Sequence, residues 1–409
     1  MHLLPRATRP WLLLSATAAL LAALSGCHAG TTASPGTASP AAATSDTVPP
    51  YYAETIAMHP PAYDSPLGVS IRSTMDGGEV AALSPPSPYQ SIGFVAGTGK
   101  PGLWIVGAQR WHPLKYDNSA QTAKLYLLNL GSTLIDGQPI NIPSLTPLPV
   151  APLPAGQLID GTAAGSSVRQ LAAAALSPDG KRLALVSTQG DTYQVSVYPV
   201  TGHAVTRTWS GEVSPALKHF EWGFSLTWLS DDKTLAVGVA TGDAMVDGTA
   251  AVRYLNTASP SSSLAQASRT VTLSFPAKKA KAGTPDGCYG APVATSDGQR
   301  VLCPGAATHP VNSGGTTEAG LWVFSAQTGT LTAAWSEHTI GGALSSTDFP
   351  HILWVSPDGT LVIASGMSTQ NQGAQLFLRT ADGTLQQLPW KGLTHRPNQA
   401  SIIEPSIAW

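Results

Sequence analysis

The chain has 409 residues, of which 22 are Lys or Arg and 24 are Asp or Glu, for a formal net charge of −2. Charged residues make up only 11%, while 40 glycines and 34 prolines punctuate the sequence. This excludes the basic stripe of a nucleic-acid binder and argues against long helices, and the one basic cluster, "KKAKAG" at 278–283, reads as a solvated loop.

The first predicted element is "MHLLPRATRPWLLLSATAALLAALSGC". Arg6 and Arg9 precede an apolar run too short and too Ala-rich to span a bilayer comfortably, and small residues close it, which is the layout of an export signal. "LSGC", Leu24 to Cys27, resembles the lipobox of bacterial lipoproteins, and that resemblance implies a diacylated Cys27 as the mature N-terminus. Residues 1–26 are thus expected to be a lipoprotein signal peptide. Residues 27–49 carry one large apolar residue, Val48, among Thr, Ala, Ser and Pro, and cannot bury a core. They are expected to form a disordered tether, with a single folded domain over 50–409. The expected address is the extracytoplasmic face of the cell membrane, lipid-anchored.

After the tether, "YYAETIAM", "LGVSIRSTMDGG" and "EVAALSPP" are three apolar runs with no fourth before them. Next, "QSIGFVAGTGKPGLWIVGAQ", "KLYLLNL" and "GQPINI" make a unit of four runs with a Gly-rich first turn. Four more units open on hairpins: "AAALSPDGKRLALVS", "SLTWLSDDKTLAVGV", "GAPVATSDGQRVLCPG" and "LWVSPDGTLVIASG". In these turns proline presets φ, Asp bonds its own backbone and Gly accepts a positive φ. Asp179, Asp232, Asp297 and Asp358 are read as the equivalent turn acids, so a structural duty accounts for them. Each hairpin (strands A and B) is followed by strands C and D, as in "YQVSVYPVTG" and "AVTRTWSG".

Repeated four-stranded units without helical periodicity predict an all-β fold, a β-propeller. The chain stops at "PSIAW", whose Trp409 aligns with Trp228 at the end of a strand A. That terminal run supplies the strand missing from the first unit. Six blades are therefore expected, the ring closed by N-terminal strands pairing with the C-terminal strand, which removes open sheet edges.

Cys288 precedes the predicted strand A of its blade, and Cys303 lies near the end of strand B. In an exported chain these two cysteines predict a disulfide that acts as a clamp, with no Cys-x-x-Cys redox motif present.

The "LSPDGKRLA" and "VSPDGTLV" hairpins, with the lipobox, resemble the exported WD-repeat-like and TolB-like propeller proteins of bacteria. Runs such as "GAQRW" and "LSPDG" bring uncharacterised actinobacterial lipoproteins nearest. The resemblance implies a propeller but carries no catalytic residues, and the Trp-Asp dipeptide of eukaryotic WD repeats is absent from the blades.

No Gly-x-Ser-x-Gly elbow, Walker loop or His-Glu-x-x-His occurs. In a propeller the D–A and B–C connections share one face, and seven of the ten histidines fall in them: His59, His112, His219, His309, His338, His351 and His395. The long inserts fall there as well. Trp111, His112, Tyr116, His219, Phe220 and Trp222 are the binding-face candidates, because aromatics in loops are usual contact anchors. Residues opening each strand A should ring the channel mouth: Tyr89, Arg169, Glu221, Tyr289, His351 and Glu404. The reading is a monomeric, non-enzymatic module for a protein or envelope polymer, without a cofactor. The alternative is a lactonase-like propeller hydrolase with a small molecule or divalent cation at the mouth, although only Glu221 and Glu404 there are acidic.

Overall fold

The structure, a computed structural model, describes residues 47–55, 68–109, 122–135, 138–150, 153–154, 170–189, 192–201, 205–212, 223–241, 249–275, 284–288, 290–308, 317–336, 351–367, 374–389 and 407–409. Six antiparallel sheets, each built on a path of four strands, account for nearly all of it. Blade 1 holds β1 (Tyr51–Thr55), β2 (Val69–Ser73) and β3 (Glu79–Leu83); blade 2 holds β4 (Ser91–Gly97), β5 (Leu103–Gln109), β6 (Thr122–Ile135), β7 (Gln138–Pro147) and the short β8 (Leu153–Pro154). Blade 3 runs β9 (Gln170–Leu176), β10 (Arg182–Gln189), β11 (Thr192–Pro199) and β12 (Arg207–Glu212). Blade 4 runs β13 (Gly223–Trp228), β14 (Thr234–Thr241), β15 (Thr249–Asn256) and β16 (Ser268–Thr272). Blade 5 contains β17 (Thr284–Cys288), β18 (Val293–Ala294), β19 (Arg300–Thr308), β20 (Thr317–Ser325) and β21 (Leu331–Ser336). Blade 6 contains β22 (His351–Val355), β23 (Val362–Met367), β24 (Ala374–Arg379) and β25 (Leu385–Leu388), and β26 (Ile407–Ala408) returns to blade 1.

The order of blade 1 is β26-β1-β2-β3, with Ala53 opposite Ala408 and Glu54 opposite Ile407. Both ends of the domain thus share one blade, as the two incomplete runs of the sequence predict. Neighbouring blades touch all the way around the ring: β26 meets β4, β4 meets β9, β9 meets β13, β13 meets β18, β19 of blade 5 meets β22, and β22 meets β26. The propeller is therefore closed, and closure leaves no inner sheet edge exposed.

Tryptophans fill the junctions between blades. Trp104 is fully buried and donates its indole N–H to the Ala408 carbonyl at 3.1 Å, joining blade 2 to blade 1. Trp228 does the same for blades 4 and 3 through the Ala175 carbonyl at 3.2 Å. An indole suits this place because it fills a wide gap with apolar surface and still satisfies its one donor. Arginines add a second set of ties. Arg182 of blade 3 lies 4.8 Å from the Trp228 ring and donates to the Asp232 carbonyl of blade 4. Arg269 of blade 4 reaches the Gln327 and Ala326 carbonyls of blade 5, each at 3.2 Å. Arg379 of blade 6 stacks 3.3 Å from the centre of the Trp335 ring of blade 5.

Three details depart from the sequence expectations. The acid equivalent to Asp179, Asp297 and Asp358 is Asp231, not Asp232. Asp231 accepts from the Lys233 and Thr234 amides at 2.8 Å, whereas Asp232 takes the next position with φ 55°. Gly180, Gly298 and Gly359 hold that left-handed position in the other turns, at φ 75°, 71° and 74°. Asp is one of the few residues with a side chain that tolerates this conformation. Second, strand A of blade 5 is split into β17 and β18, both paired with β19. Gly290 and Pro292 interrupt it there, and the Pro292 carbonyl meets blade 4: it accepts from Ser225 Oγ at 2.5 Å, over Gly238, where a Cβ would lie 1.8 Å from it. Third, a four-residue helix, α1 (Leu264–Ala267), interrupts the C–D connection of blade 4 and buries Leu264 against β12 of blade 3.

Candidate functional site

Antiparallel order puts the A–B and C–D connections at one end of the ring and the D–A and B–C connections at the other. The first end is the turn face. Its A–B turns occupy 98–102, 177–181, 229–233, 295–299 and 356–361, and their polar groups are consumed locally. Asp179 accepts from Ser177 Oγ at 2.5 Å and the Lys181 amide at 2.9 Å. Asp297 accepts from Thr295 Oγ1 at 2.5 Å and the Gln299 amide at 2.9 Å. Asp358 accepts from Ser356 Oγ at 2.7 Å and the Thr360 amide at 3.0 Å. Neighbouring turns are also linked: the Asp179 amide donates to Asp232 Oδ1 at 2.9 Å, the Ser230 amide to the Ser296 carbonyl at 2.8 Å, and the Asp297 amide to the Pro357 carbonyl at 3.2 Å. These acids are structural, as the turn pattern implies.

The same geometry sets their acidity. Desolvation pushes the carboxyls of Asp179, Asp231 and Asp358 up. Hydrogen bonds from the Ser177, Thr234 and Ser356 hydroxyls and from backbone amides outweigh it, and all three lie below the ordinary value. Asp382 in the C–D turn of blade 6 is held down to about 2, chiefly by Thr380 Oγ1 and then by the Thr384 amide and hydroxyl. A folded-state pKa below the unfolded one gives stability that is complete above the unfolded value and lost as pH falls through the folded value. The unfolding temperature should therefore hold steady above about pH 5 and decline from about pH 4 toward 2. A melting temperature independent of pH over the acid range, followed by circular dichroism, would contradict this role for the turns.

The second end is the loop face. Most of the long inserts join strands there: 56–67, 110–121, 242–248, 309–316 and 368–373 as B–C connections, and 155–169, 213–222, 276–283, 337–350 and 390–406 as D–A connections; the exception is 257–267, the C–D connection of blade 4 that holds α1. The binding-face candidates Trp111, His112, Tyr116, His219, Phe220 and Trp222 belong to these inserts and lie outside the described residues, as do Cys27 and the mouth candidates Arg169, Glu221, Tyr289 and Glu404. Two mouth candidates are described. His351 opens β22, the inner strand of blade 6, opposite Ser365. Tyr89 precedes β4 and packs edge-on against Tyr126 of β6 at 6.3 Å, within the apolar cluster joining blades 1 and 2. Its ring is thus engaged with the third strand of its own blade. Among the described residues no group of three or more His, Cys, Asp or Glu side chains is placed to hold a metal ion.

Cys288 and Cys303 form a disulfide, with Cα atoms 5.7 Å apart. Its place differs from the sequence expectation. Cys288 ends β17, the first half of strand A, and Cys303 is fully buried in the middle of β19, because that strand runs on to Thr308. The bond clamps an interrupted inner strand to its neighbour. Closing a loop of 15 residues contributes about 3 kcal/mol. A Cys288→Ser/Cys303→Ser variant should melt several degrees lower while keeping the β-sheet spectrum. An unchanged melting temperature would remove the clamp role.

One cleft was not legible in the sequence. A cavity of about 310 Å³ opens near the turn face between blades 4 and 5, lined by Leu229, Thr234, Tyr254, Asn256, Arg269 and Gly298. Tyr254 faces Arg269 across β15 and β16, and the guanidinium lies 4.7 Å from its ring centre. Burial pushes the Tyr254 phenol up to about 12, partly offset by Arg269. Only strand register could bring these two residues together.

The ends, the shared blade and the ring order define the chain as a six-bladed β-propeller. No protein-family model matches it, and no curated protein matches it in sequence. Among solved structures it is similar to TolB from Acinetobacter baumannii, at 14% identity and a TM-score of 0.41, over 87% of this chain and 66% of TolB. It is also similar to a putative 6-phosphogluconolactonase from Bacteroides uniformis, at 13% identity and a TM-score of 0.37, over 83% and 82% of the two chains. A protein from Lactobacillus plantarum matches at 12% identity and a TM-score of 0.38, over 84% and 97%. Likeness at this level does not go beyond the fold, which the sheet order already defines.

Proposed function

We propose that the chain is a lipid-anchored binding module on the extracytoplasmic face of the cell membrane, and that it holds a protein or cell-envelope polymer on its loop face. The observation that supports this reading is the asymmetry of the ring. One end is made mostly of short turns whose acids and amides are spent on one another, with the helix-bearing 257–267 connection and the β6–β7 overhang as its longer pieces, while most of the long inserts join strands at the other end. A rigid scaffold that gathers its variable segments on one face is the usual arrangement for recognition. Trp111 and Phe220, in the 110–121 and 213–222 inserts, are the aromatics chosen as anchors.

Affinity capture of the tethered protein from its own membranes tests this. Replacing Trp111 and Phe220 by Ala should weaken capture, by on the order of 2 kcal/mol for each true anchor, and leave the β-sheet spectrum intact. Altering Lys181 and Thr360 on the turn face should change little. Capture that survives the aromatic pair, or a pair that unfolds the domain, would defeat the reading. Stoichiometric Ca or Zn in the purified protein would point instead to a propeller hydrolase.

A further inference from the structure

The large hydrophobic residues that stand exposed among the described residues are four: Met75 at 84%, Ile142 at 48%, Val205 at 45% and Ile140 at 42%. They do not scatter. Met75 lies in the C–D turn of blade 1, Ile140 and Ile142 in the C–D hairpin of blade 2, and Val205 in the C–D connection of blade 3. All four therefore sit toward the turn face, on three consecutive blades. The blade 2 hairpin is unusual. β5 ends its pairing at Leu103 opposite Asn129, yet β6 and β7 continue to pair as far as Ile135 opposite Gln138. Ile140 and Ile142 pair with Thr133 and Gly131 in this overhang, which extends about 20 Å past the end of β5. The edge strand of the overhang carries Pro139 and Pro143, which lack the N–H groups that a docking strand would need.

The tether leaves the propeller at the same end, beside the blade 1 part of this patch. The Pro49 and Pro50 carbonyls accept from Thr74 Oγ1 at 2.8 Å and the Thr74 amide at 2.9 Å, so the chain enters the fold beside Met75. We infer that the turn face of blades 1 to 3 rests on the phospholipid bilayer, with Met75, Ile140, Ile142 and Val205 dipping into its interface, which turns the loop face outward. This inference rests on the lipid-anchor reading and deepens it. The tether alone does not orient the ring, because about 20 extended residues reach roughly 70 Å. Met75 at its exit and the apolar residues of the next two blades supply the second contact that fixes a tilt.

The test uses the full acylated chain in phospholipid vesicles. Met75→Cys, Ile142→Cys and Thr192→Cys each add one free thiol, since acylation engages Cys27 and the disulfide engages Cys288 and Cys303. Thr192 opens β11 at the loop face and is exposed. Each thiol is labelled with an environment-sensitive fluorophore, and a doxyl-labelled phospholipid in the vesicle serves as quencher. Labels at Met75 and Ile142 should lose most of their emission and the label at Thr192 almost none. Co-flotation with the vesicles but no quenching at Met75 and Ile142, or equal quenching at all three, overturns the face. Emission at Ile142 that changes with protein concentration but not with quencher assigns the patch to a second copy and also overturns it. Failure to float is a separate readout: it rejects the anchor, and the bilayer contact falls with it.

Discussion

Deleting residues 402–409 should yield a product that aggregates or fails to fold, because the ring can no longer close. The deletion removes β26, the inner strand of blade 1, and leaves Ala53 and Glu54 of β1 without their partners. It also removes Trp409, which is only 3% exposed, stacks on Tyr52 at 4.7 Å between ring centres and donates its indole N–H to Thr74 Oγ1 at 3.0 Å. Trp104 would lose the Ala408 carbonyl that satisfies its buried indole. The fit is close on the opposite side as well, since a Cβ on Gly97 would lie 2.1 Å from the Trp409 carbonyl oxygen. Truncating one buried tryptophan costs about 3–5 kcal/mol, against a usual total stability of about 5–15 kcal/mol. The deletion adds to this an apolar strand edge open to pairing with other chains. Trp409→Ala alone should fold and melt well below the parent. Gel filtration and thermal melts decide the matter: a deletion product that stays monomeric with an unchanged melting temperature would show that closure by both ends contributes nothing.

Cys27→Ser should move the protein out of the membrane fraction almost completely. Acylation of a lipoprotein requires the thiol, and a hydroxyl at the same position cannot form the thioether that carries the lipid. The described residues contain no helix long and apolar enough to cross a membrane, so the lipid is the attachment proposed here. The apolar residues near the tether exit are few, and without covalently attached chains they give weak, reversible binding. Incorporation of labelled fatty acid should fall to background in the variant, while the fold, tens of residues away, keeps its melting temperature. A variant that still takes up fatty acid, or that stays in the membrane fraction, would overturn the lipobox reading. Partial retention removed by high salt would indicate attachment by charge.

Much of this protein is written locally. Ser177-Pro178-Asp179-Gly180 and its counterparts form turns because the hydroxyl, the carboxylate and the left-handed residue all act within five positions. Sequence alone therefore determines the hairpins, their number, the strands that follow and, from the two incomplete runs at the ends, the shared blade. Asp231 and Asp232 stand side by side, and only backbone conformation tells which one caps the turn. Other features depend on partners distant in the chain. β6 and β7 outrun β5 because strand length is set by pairing, so an overhang has no local signature. Strand A of blade 5 breaks at Gly290 and Pro292, but only the fold shows the Pro292 carbonyl answering Ser225 on the neighbouring blade. The arginine ties, the Tyr254–Arg269 cleft and the placing of exposed Met75, Ile140, Ile142 and Val205 toward one end of blades 1 to 3 are also tertiary. These depend on strand register or on which blade stands next to which, and ring closure is what brings Trp409 against Thr74.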